Sequence, residues 1–414
     1  KAHLAGGGLV EVSNGVYVLT GGEITVSAGT TVRGVNGRDY TVVDGNGTTR
    51  CFTLNHTGAV LQGVTVSNGY VIGSGGGATV NRGAVYDCRF THNTASNGYG
   101  GGIYFNALVQ TTMAITNSLF TYNVAQRGGG VGAYDGYLAY RGSLDIQACD
   151  FVSNIIYQGS SESYGGGVYF YGGNLTVRTC RFFDNQYAGG ASGSAYGGGL
   201  SINAAHLDVL VERCQFVGNM LTNVLGVAGG GGLHLSGGRS VVRNCLIARN
   251  RAYRNPRGAG VYIEQANNTN LIESCAIAGN VHGSLYGYGG AGIYLSGNGQ
   301  DQVWNCVVIS NTDNAAAADW FFGDTARTNN VHYTCTPQAM GGAGNTRNPP
   351  LFADFAGGDY RVLAESPCVL AGTNRPWMDG ARDLDGHPRV DRFTRRVDMG
   401  PYQRLLRGVV IALR

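Results

Sequence analysis

Residues 88–93 read CRFTHN and carry the pattern that decides the fold: a cysteine, an aromatic residue two places later and an asparagine three places after that. The pattern returns, with Ser for Cys once and Ile or Val for Phe in the last copies, at 118–123, 149–154, 180–185, 214–219, 245–250, 275–280 and 306–311. A weaker copy at 63–68 has Gly in the cysteine place. From residue 88 onward the copies begin 30 to 34 residues apart, which is typical of a repeat architecture.

Each repeat contains two further apolar stretches. One follows a glycine cluster and alternates between apolar and other residues, at 100–105, 165–170, 197–202, 229–235, 258–263 and 289–295. The other alternates just before the cysteine position. Alternation with a period of two indicates strands with one buried face, and no segment has a convincing helical period. Three short strands per repeat predict an all-β fold: a right-handed parallel β-helix of about 9–11 coils, each of roughly 31 residues.

Equivalent residues of successive coils lie above one another in such a fold, so the recurring asparagines are predicted to form a ladder at one corner. Asparagine tolerates a left-handed backbone there, and its amide bonds to the next asparagine. The ladder residues are Asn68, Asn93, Asn123, Asn154, Asn185, Asn219, Asn250, Asn280 and Asn311. The repeat cysteines are small and apolar, and we expect them to stack inside as free thiols, with pairing between adjacent rungs as the alternative.

Composition limits the functional classes. The chain has 414 residues, of which 70 are Gly and 13% are charged, and its net charge of +3 is too small to predict nucleic-acid binding. No run of apolar residues is long enough to predict a membrane-spanning helix. The first residue is Lys1 rather than Met, which fits a mature exported product. Secretion to the extracellular space or the cell surface is therefore expected.

The repeat resembles that of the chlamydial polymorphic outer membrane proteins, a family of bacterial surface β-helix proteins. The glycine cluster followed by Ile, Val or Leu and the Phe-x-x-Asn pattern carry this resemblance. Residues 31–47 resemble the first coils of that group, and 348–359, 366–368, 383–386 and 397–402 resemble its closing segment. The resemblance implies a bacterial protein in surface display or adhesion. We expect one β-helix domain at 1–335, including the opening coils, followed by a less regular cap at 336–414.

Outward-facing aromatic residues suggest one binding surface. Tyr104, Tyr169, His234, Tyr262 and Tyr294 occupy one strand position and could form a flat stripe for glycans, or else a stacked ladder that shields the strands. The outward charges alternate along the stack and predict a salt ladder more readily than a catalytic acid pair. The Asp383–Gly386 stretch lacks the later ligands of a calcium loop. No cofactor and no metal site is predicted.

Two features lie in the C-terminal part. Cys335 and Cys368 stand outside the repeat and are candidates for one disulfide. The tail residues Val409, Val410, Ile411 and Leu413 form an apolar, β-prone stretch. Such a strand either packs back on its own helix or is donated to a neighbouring molecule, giving fibres or a surface layer.

The leading functional prediction is a non-enzymatic structural protein of the cell surface or extracellular space, acting in adhesion or self-assembly. Its expected partners are further copies of itself, through coil ends or the C-terminal strand, and glycans or host or cell surfaces. The alternatives are a carbohydrate-active β-helix enzyme, either a polysaccharide lyase or a glycoside hydrolase, and a glycan-binding module that uses the tyrosine stripe. Acids clustered in a groove would favour the enzyme, and uniform ladders would favour the structural role.

Overall fold

The structure is a computed structural model, and it describes residues 7–106, 112–134, 142–157, 162–189, 193–203, 208–222, 224, 226–264, 269–284, 289–296 and 300–405. The chain winds as a right-handed parallel β-helix, in agreement with the fold predicted from the repeat. Within the described ranges, helix is limited to two short 3-10 segments, Thr325–Asn330 and Pro376–Met378. The coils stack because their parallel strands bond to the equivalent strands one coil before and after.

Sheet A has 21 strands in two columns, which two long strands, Phe52–Gln62 and Ala78–Tyr86, join. The glycine-side column continues with Ile24–Val26, Ile103–Phe105, Val131–Tyr134, Val168–Tyr171, Leu200–Asn203, Leu233–Ser236, Val261–Glu264, Ile293–Leu295 and Trp320–Phe322. The cysteine-side column continues with Gly8–Val12, Thr30–Gly34, Thr112–Thr116, Ser143–Gln147, Asn174–Arg178, Asp208–Glu212, Arg239–Arg243, Leu271–Glu273, Gln302–Trp304 and Val331–His332.

Sheets B and C complete each coil. Sheet B, which follows the cysteine, has 11 strands: Gly15–Val18, Thr41–Asp44, Thr65–Ser67, Arg89–Thr91, Leu119–Thr121, Asp150–Val152, Arg181–Phe183, Gln215–Val217, Leu246–Ala248, Ala276–Ala278 and Val307–Ile309. Sheet C, which follows the asparagine, has 14: Tyr70–Ile72, Thr94–Tyr99, Val124–Arg127, Ile155–Ile156, Ser163–Tyr164, Gln186–Tyr187, Ala195–Tyr196, Met220–Leu221, Ala228–Gly229, Arg251–Arg254, Pro256–Arg257, Val281–Ser284, Thr312–Asp313 and Ala316–Ala317.

Two left-handed residues bracket each strand of sheet B from residue 88 onward, and they set the two corners of the coil. One precedes the cysteine position, as at Asp87 with φ 56° and Thr179 with φ 55°. The other precedes the ladder asparagine, as at His92 with φ 56° and Asp184 with φ 53°. The prediction that the asparagine itself takes the left-handed conformation is wrong, because the residue before it makes the turn and leaves the asparagine side chain pointing inward.

The asparagine ladder is a continuous chain of buried hydrogen bonds from residue 93 to residue 311. Each Nδ2 donates to the Oδ1 of the next rung at 2.8–2.9 Å. Asn185 shows the full pattern: its Nδ2 also donates to the Phe151 carbonyl at 2.8 Å, and its Oδ1 accepts from the backbone N–H of Asn154 at 3.0 Å. The last donor, on Asn311, meets the carboxylate of Asp319 at 2.8 Å. An acceptor-only group therefore ends the ladder.

Asn68 lies outside this ladder, contrary to the prediction. Its side chain is exposed, its φ is 50°, and its Nδ2 donates to Asp44 Oδ2 at 2.8 Å. Gly69 takes the rung position instead, and its backbone N–H donates to Asn93 Oδ1 at 2.9 Å. The sequence pattern aligned Asn68 one residue early because this coil has a glycine at the rung.

The interior is built from columns of like residues. Stacked phenylalanine rings run through the middle coils with centroids 4.6–5.2 Å apart: Phe90, Phe120, Phe151, Phe182 and Phe216. The repeat cysteines are free and fully buried. Burial raises the pKa of the Cys88 thiol to about 12, so this thiol is protonated and inert at neutral pH.

A second ladder closes the C-terminal end of the stack. The backbone N–H of Ser240 donates to Asn270 Oδ1 at 3.1 Å, and Asn270 Nδ2 donates to Asp301 Oδ1 at 2.8 Å. Asp301 then forms a buried ion pair with Arg327, which lies in the 3-10 turn over the last coil. Burial raises the pKa of Asp301, although the arginine opposes this shift. This ladder therefore ends on an aspartate–arginine pair.

The closing segment lies along the side of the helix and does not simply cover its end. The antiparallel pair Phe352–Asp354 and Asp359–Val362 packs on the outer face of sheet B in the last three coils. That face is apolar there, and Tyr360 is buried against Leu246, Ala248, Ala276 and Ala278. Polar residues such as Arg181 and Gln215 take the corresponding places in earlier coils. The change from polar to Ala and Leu therefore marks the coils that the closing segment covers.

Polar contacts anchor the closing segment to the neighbouring corner. Arg375 Nε donates to Glu273 Oε1 at 2.7 Å, and the guanidinium of Arg243 lies 4.5 Å from the ring centroid of Trp377. Asn305 pairs with the backbone of Thr373 in both directions, at 2.7 and 2.8 Å. These contacts order a segment that has little regular structure of its own.

Candidate functional site

The predicted aromatic stripe is buried, and the expectation of an outward glycan platform is corrected. His234 and Tyr262 are 0% exposed, and Tyr169 and Tyr294 are 3% and 8% exposed; Tyr104 is half-buried. Burial raises the pKa of Tyr262 to about 12. The stripe shields the strands of sheet A and offers no open face to a sugar ring.

Tyrosines from the sheet C corner cover the stripe. Tyr164 stacks on Tyr169 with centroids 5.2 Å apart, and Tyr196 stacks on His234 at 4.8 Å. Gly229 makes room for this, since a Cβ there would meet both Tyr196 and Tyr262 within 2.7 Å. The sequence shows both sets of tyrosines, but it does not show that one folds over the other.

The stripe contains a Ser–His–Glu relay that sequence reasoning did not find. Ser201 Oγ lies 2.9 Å from His234 Nδ1, and His234 Nε2 lies 3.3 Å from Glu264 Oε2. Burial alone would raise the pKa of Glu264, but hydrogen bonding to His234 and nearby positive charge hold it below its usual range. Ser201 and His234 are both 0% exposed, so no substrate reaches the hydroxyl. The relay satisfies buried polar groups. Its geometry resembles that of a nucleophilic site, but a substrate cannot reach it.

The outward acids are paired rather than clustered. Glu212 accepts from Arg178 Nε at 3.3 Å and from Arg243 Nε at 2.8 Å, which is the salt ladder expected from the alternating charges. Arg375 binds Glu273, and Arg361 binds Asp385 in the Asp383–Gly386 stretch. Among the described residues, no three His, Cys, Asp or Glu side chains are grouped to hold a metal ion. Glu212 and Asp385 are bound by arginines and Glu273 is 1% exposed, so none of them offers the accessible carboxylate that a shared hydrolytic water requires.

His282 is a buried titratable group that the sequence did not single out. It lies in the inner column of sheet C, where other coils have Ala252 and Leu221, and it is 1% exposed. Its Nε2 accepts the backbone N–H of Ala259 at 3.0 Å, which fixes the neutral form. Burial lowers the pKa of His282 to about 4, and the charge of Asp313 only partly opposes this.

We expect His282 to make the protein acid-sensitive. Its pKa is lower in the folded than in the unfolded chain, so the stability is complete above the unfolded pKa of about 6.5 and is lost as the pH falls towards about 4, by about 3 kcal/mol in all. The free energy of urea unfolding should fall over this window in the wild type. In His282→Leu the slope should be clearly smaller, with a remainder from other groups such as His332, whose pKa burial also lowers. An equal slope in both proteins would contradict the assignment.

Cys335 and Cys368 meet in a buried cluster with Val307 and Met399, where the last coil contacts the closing segment. Both are free thiols in the structure. The hydrogen bond between the two sulfurs raises the pKa of Cys335 and lowers that of Cys368. The disulfide stays a prediction, but the structure places both partners side by side.

Oxidised glutathione should convert this pair to a disulfide, with two protons and two electrons passing to the oxidant. Closing the loop between the two residues should raise the free energy of unfolding by about 3–4 kcal/mol. Thermal melts with and without dithiothreitol measure this, and Cys335→Ser is the control that should not respond. Alkylation of both thiols in oxidised, unfolded wild-type protein would rule the bond out.

A long trough runs along the outer face of the cysteine-side column of sheet A. It has a volume of about 1080 Å³ and crosses five consecutive coils. Its floor is the middle row of outward side chains, and its sides are polar residues two positions away along the chain. The lining includes Asn174, Thr176, Asp208, Leu210, Arg239, Val241, Arg243, Thr269, Leu271, Gln300 and Gln302.

Among the described residues, the N-terminal end of the stack is open and apolar. A cavity of about 560 Å³ there is lined by Val10, Val18, Ile24 and other aliphatic residues. Val16 and Val18 are 65% and 52% exposed. In the described part of the chain, Gly8–Val12 pairs on one side only. The predicted tail strand at Val409, Val410, Ile411 and Leu413 lies outside the described residues.

Comparison with known proteins supports the architecture and leaves the activity open. Residues 192–338 match the family model described as a right handed beta helix region. No curated protein and no solved structure gives a significant match. No helix in the described ranges is long and apolar enough to cross a membrane. The matched region together with the stacked sheets makes this chain a right-handed parallel β-helix protein.

Proposed function

We propose that this chain is an exported structural protein of the extracellular space or the cell surface, which adheres and assembles end to end without enzymatic activity. The observation that carries the proposal is the contrast between the two ends of the stack. Asp319 and the Asp301–Arg327 pair close the C-terminal end with buried polar groups. In the part of the chain that the structure describes, the N-terminal end presents aliphatic side chains and strand edges without a partner.

The open end fits an added strand. An exposed strand edge binds an extended segment through backbone hydrogen bonds, and apolar pockets then select its side chains. Residues 408–413 read GVVIAL, which has the β-propensity and the absence of charge that such a segment needs. Donation of this tail to the open coil of a second copy would generate a head-to-tail fibre.

The candidate reactive groups found among the described residues are paired or buried, which favours a structural role over the enzyme alternative. Glu212 and Glu273 are held by arginines, and Ser201 is buried. Interior thiols that are fully buried also suit an exported protein, because they are protected from oxidation.

Assembly can be tested by sedimentation velocity and electron microscopy on three variants. Deletion of residues 408–414 and the end substitution Val16→Lys should each abolish concentration-dependent assembly. Tyr122→Lys is the matched control, since Tyr122 is a large side chain, 50% exposed, next to a strand that is paired on both sides within the stack. A wild-type protein that stays monomeric at high concentration, or fibres that survive both end variants, would refute the proposal.

A further inference from the structure

Most of the trough on the cysteine-side column is left open by the ladders and by the closing segment, both of which meet it at Arg243. The other column of sheet A is covered by tyrosines, and sheet B of the last coils by the closing segment. In the described part of the chain, the side chains of Asn174 and Gln300 have no hydrogen-bond partner and are exposed. This face therefore presents unused polar groups in a concave setting.

The shape of the trough fits a linear polymer laid along the helix axis. Its five coils span about 19 Å at about 4.8 Å per coil. A ligand in this direction crosses the strands, so it meets one set of side chains per coil and cannot extend the sheet. A second copy of the chain is a poor occupant, because the floor offers about 300 Å² and a stable interface needs about 800 Å² from each partner.

The chemistry of the trough fits an uncharged ligand. Its floor includes Leu210, Val241 and Leu271, which are half-buried and aliphatic, and its sides include amides and hydroxyls. The charged lining is nearly balanced: Asp208 faces Arg239 at 3.9 Å, and Arg243 is held by Glu212. An acidic polymer would need more free cations than these.

We infer that this trough binds a linear neutral polysaccharide. The apolar C–H faces of the sugar rings would rest on the aliphatic row, and the ring hydroxyls would bond to side chains such as Asn174, Thr269 and Gln300. The assignment does not depend on end-to-end assembly, since the trough lies on the side of the stack.

Titration calorimetry of the full chain tests this with three hexamers: cellohexaose and mannohexaose as neutral probes, and hexagalacturonate as the acidic counterpart. We expect at least one neutral hexamer to bind with a Kd below about 1 mM, and hexagalacturonate to bind at least about tenfold more weakly. Leu210→Lys and Leu271→Lys should each weaken the neutral hexamer by about tenfold or more. Ala114→Lys, in the same outward row three coils before Leu210 and outside the trough, should bind as the wild type does.

Circular dichroism first has to show that the variants are folded, and the binding results then decide for or against the site. Loss of binding in the trough variants alone supports the site. No binding of either neutral hexamer, equal loss in Ala114→Lys, or tighter binding of hexagalacturonate overturns it. A neutral Gly-Ser-Thr decapeptide that binds in the trough while the glycans do not would also overturn it, in favour of a peptide ligand.

Discussion

Replacing Asn185 by Asp should destabilise the protein by roughly 3–5 kcal/mol, more than a typical single substitution does. The change removes the donor that reaches Asn219 and the Phe151 carbonyl, and puts an acceptor in its place. Asn185 is 0% exposed, so water cannot compensate for the lost hydrogen bonds. Guanidinium unfolding followed by circular dichroism measures the loss of free energy.

Two substitutions show whether the position in the ladder decides this cost. Asp319→Asn should be mild, because an asparagine still offers Oδ1 to Asn311. Asn68→Ala should cost less than about 1 kcal/mol, since Asn68 is exposed and makes one side-chain bond to Asp44. If Asn185→Asp is no more damaging than Asn68→Ala, the ladder does not stabilise the stack.

Arg327→Ala should cost about 3–5 kcal/mol, because it leaves the buried Asp301 carboxylate without its counter-charge. The side chains of Arg327 and Asp301 are 4% and 1% exposed. The damage should be concentrated at the C-terminal coils, because each coil depends on its neighbours. Hydrogen exchange should therefore rise in strands such as Gln302–Trp304 and Trp320–Phe322, and remain unchanged near residue 120.

The double variant Arg327→Met with Asp301→Asn provides the matched control. It removes both charges, while the amide introduced at position 301 keeps an oxygen for Asn270, so it should recover most of the stability that Arg327→Ala loses. A double variant as unstable as the single one would mean that the arginine acts through its packing, not its charge.

The repeat alone was enough to predict the fold, because the same short pattern at a fixed interval constrains every coil in the same way. The spacing from Cys149 to Cys180 and from Asn154 to Asn185 gives the register directly, and the structure has these residues in stacked positions. The sequence pattern placed this rung at Asn68 instead of Gly69, because a coil with glycine at the rung has no ladder asparagine to align.

The candidate surfaces were harder to predict, because burial of an outward side chain depends on chain segments far away in sequence. Tyr262 alternates like an exposed strand residue, yet Tyr196 of a different coil covers it. His282 looks like any polar residue of a turn, and only its inward direction gives it a shifted pKa. One usable signal was overlooked: Ala276 and Ala278 replace polar residues on the outer face of sheet B, which predicts that something covers it.

The identical geometry of the asparagine rungs makes the length of this molecule adjustable. Residues 149–179 are one sequence repeat, from Cys149 to the left-handed Thr179, and their described strand Asp150–Val152 pairs with equivalent strands on both sides. Duplicating them in tandem would lengthen the rod by about 4.8 Å without changing any contact type. The same duplication after residue 243 would displace the sheet B strands on which the closing segment packs. The rod can therefore be lengthened by whole repeats in its middle coils, but not in the coils that the closing segment covers.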